Sequence, residues 1–384
     1  MFIIGGAIMK VVVAIDSFKG SLSSLEAGEA VKEGIGDLAE VAVVPIADGG
    51  EGTVEALRDA LGGKSVSVVV SDPLGRKISA SYAMAFDRAI FEMAASSGLP
   101  LLEPSERNPM KTSTYGFGEL LLDALNKGAR KFIIGIGGSA TNDAGMGMLR
   151  ALGVKFKDAS GAYLAGVGAD LMRVASVDIS GLDARIRECE IVVACDVNNP
   201  LYGENGAAYI YGAQKGANAD MIEQLDAGLR RFCEVASREL GADMEQVAGA
   251  GAAGGLGYAL LAFLGASLRR GVDIVCDEVG LKSALVGADL VITGEGRFDT
   301  QSLMGKTPSG VAKLAKAAGA KVVVLAGSLG DDLADSELID ACFSVVRAPC
   351  SLKEAMRADI ARINLKQSAR QAVKLFIAGA GLEI

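Results

Sequence analysis

Short runs of mainly apolar residues, each followed by an amphipathic stretch, recur in the first and last parts of the chain. Residues 11–15 (VVVAI) and 41–46 (VAVVPI) are two such runs, and residues 289–293 and 321–326 repeat the pattern near the carboxyl terminus. A strand that is apolar on both faces is typical of a parallel sheet with helices on both sides. These segments therefore predict a doubly wound α/β domain.

The middle of the chain has a different rhythm. Three strand-like runs follow one another without room for helices between them: residues 65–70, 78–84 and 89–93. Such spacing is typical of hairpins, so a mixed sheet is expected here. We therefore predict two α/β domains. The doubly wound domain comprises residues 1–70 plus 287–384, and the inserted domain with the mixed sheet comprises residues 71–286.

The composition excludes several classes of function. Lysine and arginine total 38 against 47 aspartate and glutamate residues, a net charge of −9, which argues against nucleic acid as a partner. Histidine is absent, so a Ser-His-Asp triad and a histidine-ligated metal are excluded, and acid–base chemistry falls to other side chains. The six cysteines form no C-x-x-C pair, which favours a reduced, cytoplasmic protein.

The sequence does not predict a membrane protein. No uninterrupted apolar stretch approaches the ~20 residues of a transmembrane helix, so no membrane partner is expected. The apolar residues 2–8 precede Lys10 rather than follow a basic segment, which is not the pattern of a secretory signal. We interpret residues 1–8 as an upstream extension and Met9 as the natural start. The oligomeric state leaves no signal in the sequence.

Polar residues follow five of the predicted strands. These segments share carboxylate, glycine, amide and hydroxyl groups: 16–21 (DSFKGS), 48–53 (DGGEGT), 137–143 (GGSATND), 196–199 (DVNN) and 295–299 (EGRFD). Ligands of open α/β sheets bind beyond the carboxyl ends of the strands. Glycines can wrap phosphate oxygens with backbone N–H groups, carboxylates can hold Mg²⁺ or accept a proton, and lysine can neutralise a phosphoryl group. The pattern therefore predicts phosphoryl transfer assisted by Mg²⁺.

Two motif-like stretches raise other interpretations. Residues 305–307 (GKT) resemble the end of a Walker A loop, but Thr300 stands where that loop needs its first glycine, so a P-loop is rejected, although Lys306 could still contact phosphate. Residues 135–140 (GIGGSA) follow a predicted strand and precede a helix, as in dinucleotide-binding folds. An NAD(P)-dependent oxidoreductase of a small hydroxy acid is therefore one alternative. A non-catalytic phosphate- or acid-binding protein is another.

Seven blocks of sequence occur in the order found in one known family: 16–22 (DSFKGSL), 47–53 (ADGGEGT), 93–102 (MAASSGLPLL), 135–145 (GIGGSATNDAG), 194–200 (ACDVNNP), 250–257 (AGAAGGLG) and 292–299 (ITGEGRFD). In these blocks the chain resembles the glycerate kinase type-1 family. The resemblance implies transfer of the γ-phosphoryl group of ATP to a hydroxyl of D-glycerate, with 2-phosphoglycerate favoured as the product. It also implies that the doubly wound domain is flavodoxin-like, and we expect the active site in the cleft between the domains.

The general base of such a reaction is expected among the carboxylates at the strand ends. We expect Asp196 to accept the proton of the substrate hydroxyl, because it ends a buried strand of the inserted domain. Asp16, Asp48 or Glu295 could take that role instead. The other predicted catalytic residues are Lys19 and Asp16. The predicted Mg²⁺ ligands are Asp48 and Asp299.

Twelve residues are predicted to contact the substrate or the nucleotide: Ser17, Gly49, Gly50, Gly137, Gly138, Ser139, Thr141, Asn142, Asn198, Lys215, Glu295 and Arg297. Glycines and hydroxyls of this set could cradle a phosphate or the glycerate carboxylate, and the two asparagines could bind substrate hydroxyls. Lys215 could reach a nucleotide phosphate. Arg297 or Arg107 could clamp the glycerate carboxylate with two hydrogen bonds.

Overall fold

The fold is described by a computed structural model that covers residues 3–4, 7–47, 52–303, 306–330 and 336–380. The strands are β1 (Ile3–Ile4), β2 (Ala7–Ile8), β3 (Lys10–Val13), β4 (Glu40–Val43), β5 (Lys64–Ser71), β6 (Lys77–Ala85), β7 (Arg88–Glu92), β8 (Lys131–Gly135), β9 (Lys155–Lys157), β10 (Ser176–Asp178), β11 (Glu190–Ala194), β12 (Ser267–Arg269), β13 (Leu290–Phe298), β14 (Lys321–Leu329) and β15 (Ala341–Ser344). Residues 1–2 and 5–6 of the predicted extension lie outside the described residues.

The α-helices are α1 (Ser24–Ile35), α2 (Thr53–Ala60), α3 (Ala94–Ser97), α4 (Tyr115–Asn126), α5 (Met146–Ala151), α6 (Ala207–Tyr211), α7 (Ala219–Leu240), α8 (Ala252–Leu264), α9 (Gly271–Glu278), α10 (Leu281–Ala284), α11 (Thr300–Leu303), α12 (Thr307–Ala317), α13 (Leu352–Ala355) and α14 (Ala358–Gly379). Short 3₁₀ helices cover Gly36–Leu38, Leu99–Leu101, Pro104–Glu106, Gly168–Arg173, Ala184–Glu188 and Ala213–Lys215. None of the described helices combines the length and the apolar character that crossing a membrane requires.

Contacts within the chain define two compact units. The first unit is Met1–Gly62 with Val272–Ile384, and the second unit is Gly63–Gly271. These limits differ from the boundaries predicted at residues 70 and 287. Strand β5 pairs along its whole length with β6 and so belongs to the second unit. Most of α9 belongs to the first unit. Val272 of α9 lies so close to Gly310 of α12 that a Cβ on Gly310 would collide with the Val272 side chain.

The first unit contains a parallel five-stranded sheet in the order β15-β14-β13-β3-β4. When these five strands are renumbered 1 to 5 in chain order, the sheet order read from the β4 edge is 2-1-3-4-5. This is the strand order of flavodoxin-like folds. Strand β3 lies between β4 and β13, and its three valines are completely buried. The predicted doubly wound, flavodoxin-like domain is therefore confirmed. The carboxyl ends of β3, β13, β14 and β15 share one edge of the sheet.

Helix α1 illustrates how the sequence sets these elements. It begins after Ser23, whose hydroxyl accepts a hydrogen bond from Glu26 N at 3.2 Å while the Glu26 carboxylate accepts one from Ser23 N at 2.8 Å. This capping box satisfies backbone donors that the first turn cannot pair internally. Gly34 lets α1 lie directly against α14, since a Cβ there would collide with the carbonyl oxygen of Lys366.

The second unit contains a six-stranded sheet in the order β12-β11-β8-β7-β6-β5. Strands β5, β6 and β7 are antiparallel neighbours, whereas β7, β8, β11 and β12 run parallel. The predicted mixed sheet is therefore confirmed. Phe91 of β7 packs against Tyr82, Phe117 and Phe132, with ring centroids 4.9, 6.1 and 5.6 Å apart. This aromatic cluster fixes the parallel half of the sheet against α4.

Candidate active site

A cavity of about 930 Å³ lies at the carboxyl ends of the first unit's strands. Asp16, Ser17 and Lys19 enter its lining from the loop after β3, and Glu295 and Arg297 enter from the end of β13. Pockets for small ligands in proteins occupy roughly 300–1,000 Å³. The structure therefore brings five of the predicted site residues together around one space of ligand size.

The carboxylate of Asp16 is buried and held in place. Its Oδ1 accepts a hydrogen bond from Ser17 N, and its Oδ2 accepts one from the hydroxyl of Thr307, each at 2.6 Å. Its backbone N donates to the Gly294 carbonyl at 2.9 Å, next to Glu295. Asp16 follows β3, and Glu295 lies on the neighbouring strand β13, so two carboxylates lie at the cavity on adjacent chain segments.

Three cationic side chains also line this cavity: Lys19, Arg297 and Lys306. Lys19 and Arg297 are exposed, and Arg297 Nε lies 3.4 Å from Asp299 Oδ2. Asp299 also caps α11, because its Oδ1 accepts a hydrogen bond from Ser302 N at 3.4 Å. Cations beside carboxylates suit a polyanion that carries its own metal ion. Three of the predicted residues, Asp48, Gly49 and Gly50, lie outside the described residues.

The parallel strands of the second unit also bring predicted residues to one edge. Gly137, Gly138 and Ser139 follow β8, while Asp196 and Asn198 follow the neighbouring strand β11. All five are exposed except Ser139, which is half-buried. Asp196 Oδ1 accepts a hydrogen bond from Gly271 N at 3.2 Å. This edge of the sheet therefore carries backbone N–H groups, an amide and a carboxylate.

Three other residues of the second unit that were predicted to contact the substrate or the nucleotide are buried in this structure, and their role as ligand contacts stays a prediction. Lys215 is 1% exposed, and Thr141 and Asn142 are completely buried. Lys215 Nζ donates to the Thr141 carbonyl at 2.7 Å, so it supports the loop after β8 from inside. The Thr141 hydroxyl and the Asn142 amide have no hydrogen-bond partner in the described chain.

Asp143 completes the buried side of this loop. Burial raises the pKa of its carboxyl group, although hydrogen bonds from Thr114, Gly147 and Gly145 oppose that effect. The Asp143 carboxylate accepts from Thr114 N and Oγ1 at 2.8 Å each, and from Gly145 N at 3.1 Å and Gly147 N at 3.2 Å. Burial lowers the pKa of Lys215 to about 7, and the charge of Asp143 opposes that shift. Asp143 and Lys215 therefore both support this loop from its buried side.

Comparison with known proteins identifies the family of this chain. A family model described as the glycerate kinase family matches residues 11–377. The chain belongs to the glycerate kinase family. It is 49% identical over 354 residues to the glycerate kinase of Bacillus subtilis (strain 168), covering 90% of this chain and 93% of that protein. It is also 49% identical over 356 residues to the glycerate 2-kinase of Escherichia coli (strain K12), covering 91% and 93%.

A solved structure supports the same assignment to the glycerate kinase family. The crystal structure named for glycerate kinase 2 from Salmonella typhimurium LT2 superposes with a TM-score of 0.90 at 47% sequence identity. The match covers 98% of this chain and 100% of that chain. The family resemblance carried by the seven sequence blocks is therefore confirmed.

Sequence reasoning missed several residues that line the cavity of this glycerate kinase family member or support its lining. Thr307 could have been recognised as a polar residue at a helix start, but nothing local links it to Asp16, which lies 291 positions away along the chain. Leu352 and Met356 line the cavity without any local signal, since apolar residues in a short helix usually pack into a core. Arg107 was named as an alternative clamp; its Nε is buried without a hydrogen-bond partner in the described chain.

Replacing Lys215 by Met is expected to remove part of the pH dependence of stability. Burial lowers the pKa of Lys215 to about 7, whereas an unfolded lysine titrates at ~10.4. Between these values the unfolded state binds the additional proton, so this lysine makes the free energy of unfolding rise with pH by up to ~1.4 kcal/mol per unit. The difference in the free energy of unfolding between wild type and Lys215→Met, measured by urea denaturation, should therefore change between about pH 7.5 and about pH 10.

The matched control for this experiment is Lys111→Met, because Lys111 is an exposed lysine of the same unit. The wild-type protein should gain stability relative to Lys215→Met as the pH rises. Parallel pH profiles for the two proteins would contradict the assignment of Lys215 as a buried, proton-releasing group.

Proposed function

We propose that this chain is an ATP-dependent glycerate kinase, which transfers the γ-phosphoryl group of ATP to a hydroxyl of D-glycerate and releases ADP and phosphoglycerate. It is thus a phosphotransferase with an alcohol group as acceptor. The observation that carries the proposal is the 49% identity to a glycerate 2-kinase over 91% of this chain. The name of that relative favours the 2-hydroxyl as the acceptor and 2-phosphoglycerate as the product.

The cavity of the first unit is our proposed site for ATP. Its volume suits a nucleotide-sized ligand, and the triphosphate would lie against Lys19, Arg297 and Lys306. Ser17 lines the same space and can donate a hydrogen bond to a phosphate oxygen. The positive side chains would offset the charge of the triphosphate and favour its binding.

Mg²⁺ is compatible with the residues at this cavity. The carboxylates of Asp16 and Glu295 line the same cavity, and a cation bound with the triphosphate would reduce their repulsion of its phosphates. Mg²⁺ needs only one or two protein carboxylates beside phosphate oxygens and water, so it does not depend on a cluster of three protein ligands, which the described part of the chain lacks. Asp299 is one proposed ligand and Asp48 the other. When bound, the ion would neutralise charge on the phosphates.

We propose that the second unit's sheet edge supplies the contacts to glycerate. Backbone N–H groups at Gly137, Gly138 and Ser139 would hold the carboxylate, and the Asn198 amide would orient a hydroxyl. Asp196 would accept the hydroxyl proton while the hydroxyl oxygen bonds to the γ-phosphorus. The bond from that phosphorus to the β–γ bridging oxygen breaks, and ADP leaves. The cleft between the domains, expected as the site of this reaction, stays a prediction.

Phosphorus NMR of the reaction with ATP, Mg²⁺ and D-glycerate tests the proposed function. We expect ADP and a single phosphate monoester at the 2-position, with ADP formed only when D-glycerate is present. NADH binding without ADP formation, followed by nicotinamide fluorescence, would instead support the oxidoreductase alternative. Tight binding of D-glycerate without any turnover would support a non-catalytic acid-binding protein.

The state of the cysteines supports the cytoplasm as the proposed compartment. All six cysteines are free thiols in the structure. Free thiols persist in reducing compartments, where disulfides are rare.

A further inference from the structure

The lining of the first unit's cavity changes from charged to apolar across the sheet. Asp16 and Lys19 follow β3, whereas Val345 and Val346 follow β15, which is the edge strand beyond β13 and β14. Neighbouring strands lie ~4.8 Å apart, so the three steps from β3 to β15 span roughly 14 Å. The cavity therefore has a charged side and an apolar side.

Helix α13 contributes Leu352 to the apolar side, and Met356 is the first residue after this helix. Leu352 is 76% exposed and Met356 is 38% exposed, and both line the cavity together with Val345 and Val346. We call these four residues the apolar wall. A Cβ at Gly20 would lie 3.0 Å from Met356 Cε, so Met356 lies where the apolar wall borders the loop that carries Lys19. Val345 itself is buried, so Leu352 and Met356 supply the exposed apolar surface of the wall. Exposed apolar side chains in a cavity are typical of a ligand-binding surface.

We propose that the apolar wall binds the base of the nucleotide and that Leu352 and Met356 are its contact residues. The inference rests on the proposed kinase function, because it takes the triphosphate to lie at Lys19, Arg297 and Lys306. A purine is a planar and largely apolar ring joined through its sugar to a strongly charged chain. This order of chemical groups matches the change from apolar to charged lining across the cavity.

The polar groups near the wall fit the edge of a base. Asn364 of α14 lines the same cavity, and its side-chain amide can both donate and accept hydrogen bonds. A purine edge offers donors and acceptors side by side, so one amide can pair with it. Cys350, an exposed thiol two residues before Leu352, also lines the cavity and reports on whether this part of the cavity is covered.

The first test is the double variant Leu352→Ala/Met356→Ala, compared with wild type. We expect the Kd for ADP, measured by calorimetry, to rise about tenfold, because two apolar contacts to the base are lost. The KM for ATP should rise in parallel, with the KM for D-glycerate and the kcat at saturating ATP unchanged. The matched control is Leu375→Ala, since Leu375 is a 63% exposed leucine of α14 outside this cavity.

The second test needs no variant and no activity. Alkylation of Cys350 by iodoacetamide, mapped by mass spectrometry, should slow about tenfold at saturating ADP. Inorganic triphosphate should protect Cys350 much less, because it would occupy only the charged side of the cavity. Wild-type ADP affinity in the double variant, or an alkylation rate that ADP does not change, would overturn the inference.

The two proposals fail in different ways. A wild-type protein that binds ADP with protection of Cys350, yet shows no glycerate-dependent turnover, would refute the kinase function and leave the base site standing. A wild-type protein with normal turnover whose double variant binds ADP normally would refute the base site alone.

Discussion

Replacing Asp196 by Asn is expected to lower the turnover number for glycerate phosphorylation by about 10²–10⁴, the range for loss of a general base. The amide keeps the shape of the carboxylate but cannot accept the hydroxyl proton. Asp196 is exposed, and its Oδ1 accepts a hydrogen bond from Gly271 N, which an amide oxygen can also accept. The free energy of unfolding and the affinity for ADP should therefore change little.

The matched control for this prediction is Asp220→Asn, because Asp220 is an exposed aspartate of the same unit, in the first turn of α7. Its turnover number should equal that of wild type. Steady-state kinetics with ADP detection measures both variants. A near-normal turnover number for Asp196→Asn would move the general base to Asp16, Asp48 or Glu295.

The second large effect is expected for Lys19→Met, which should lower the turnover number by about 10²–10³, as is typical when a group that stabilises transition-state charge is removed. Lys19 lines the cavity next to the buried Asp16 carboxylate. Its ammonium group would offset the charge of the moving phosphoryl group. Since the Lys19 side chain is exposed, methionine should leave the unfolding midpoint within experimental error of wild type.

Lys313→Met serves as the control for Lys19→Met, because Lys313 is an exposed lysine on α12 of the same unit. Thermal unfolding and steady-state kinetics should be recorded for both variants. If Lys19→Met unfolds at a clearly lower temperature and its turnover falls only in proportion to the folded fraction, Lys19 has a structural role.

Much of the fold followed from local composition. Continuous apolar runs such as residues 11–15 must be covered on both faces, so they predicted the parallel sheet of the first unit, and the closely spaced runs predicted the hairpins of the second. The boundaries were less predictable: β5 reads locally like any other strand, and only its pairing with β6 assigns it to the second unit.

The candidate site was also only partly predictable from the sequence. Polar residues after strands predicted Asp16, Lys19, Glu295 and Arg297, because the carboxyl ends of parallel strands meet at one edge. The burial of Lys215 could not be predicted, since a lysine in a polar loop is normally exposed, and here the surrounding fold buries it against the Thr141 carbonyl.

The sequence by itself determined the α/β class, the mixed and parallel sheets, the residues at the strand ends and the family, because each of these depends on neighbouring residues or on blocks that can be read in order. Only the tertiary structure decided which polar side chains are buried, that Thr307 holds Asp16, and that Leu352 and Met356 line the cavity beside Lys19. Burial and contact depend on segments hundreds of residues apart, and no local pattern encodes which distant segment will cover a given side chain.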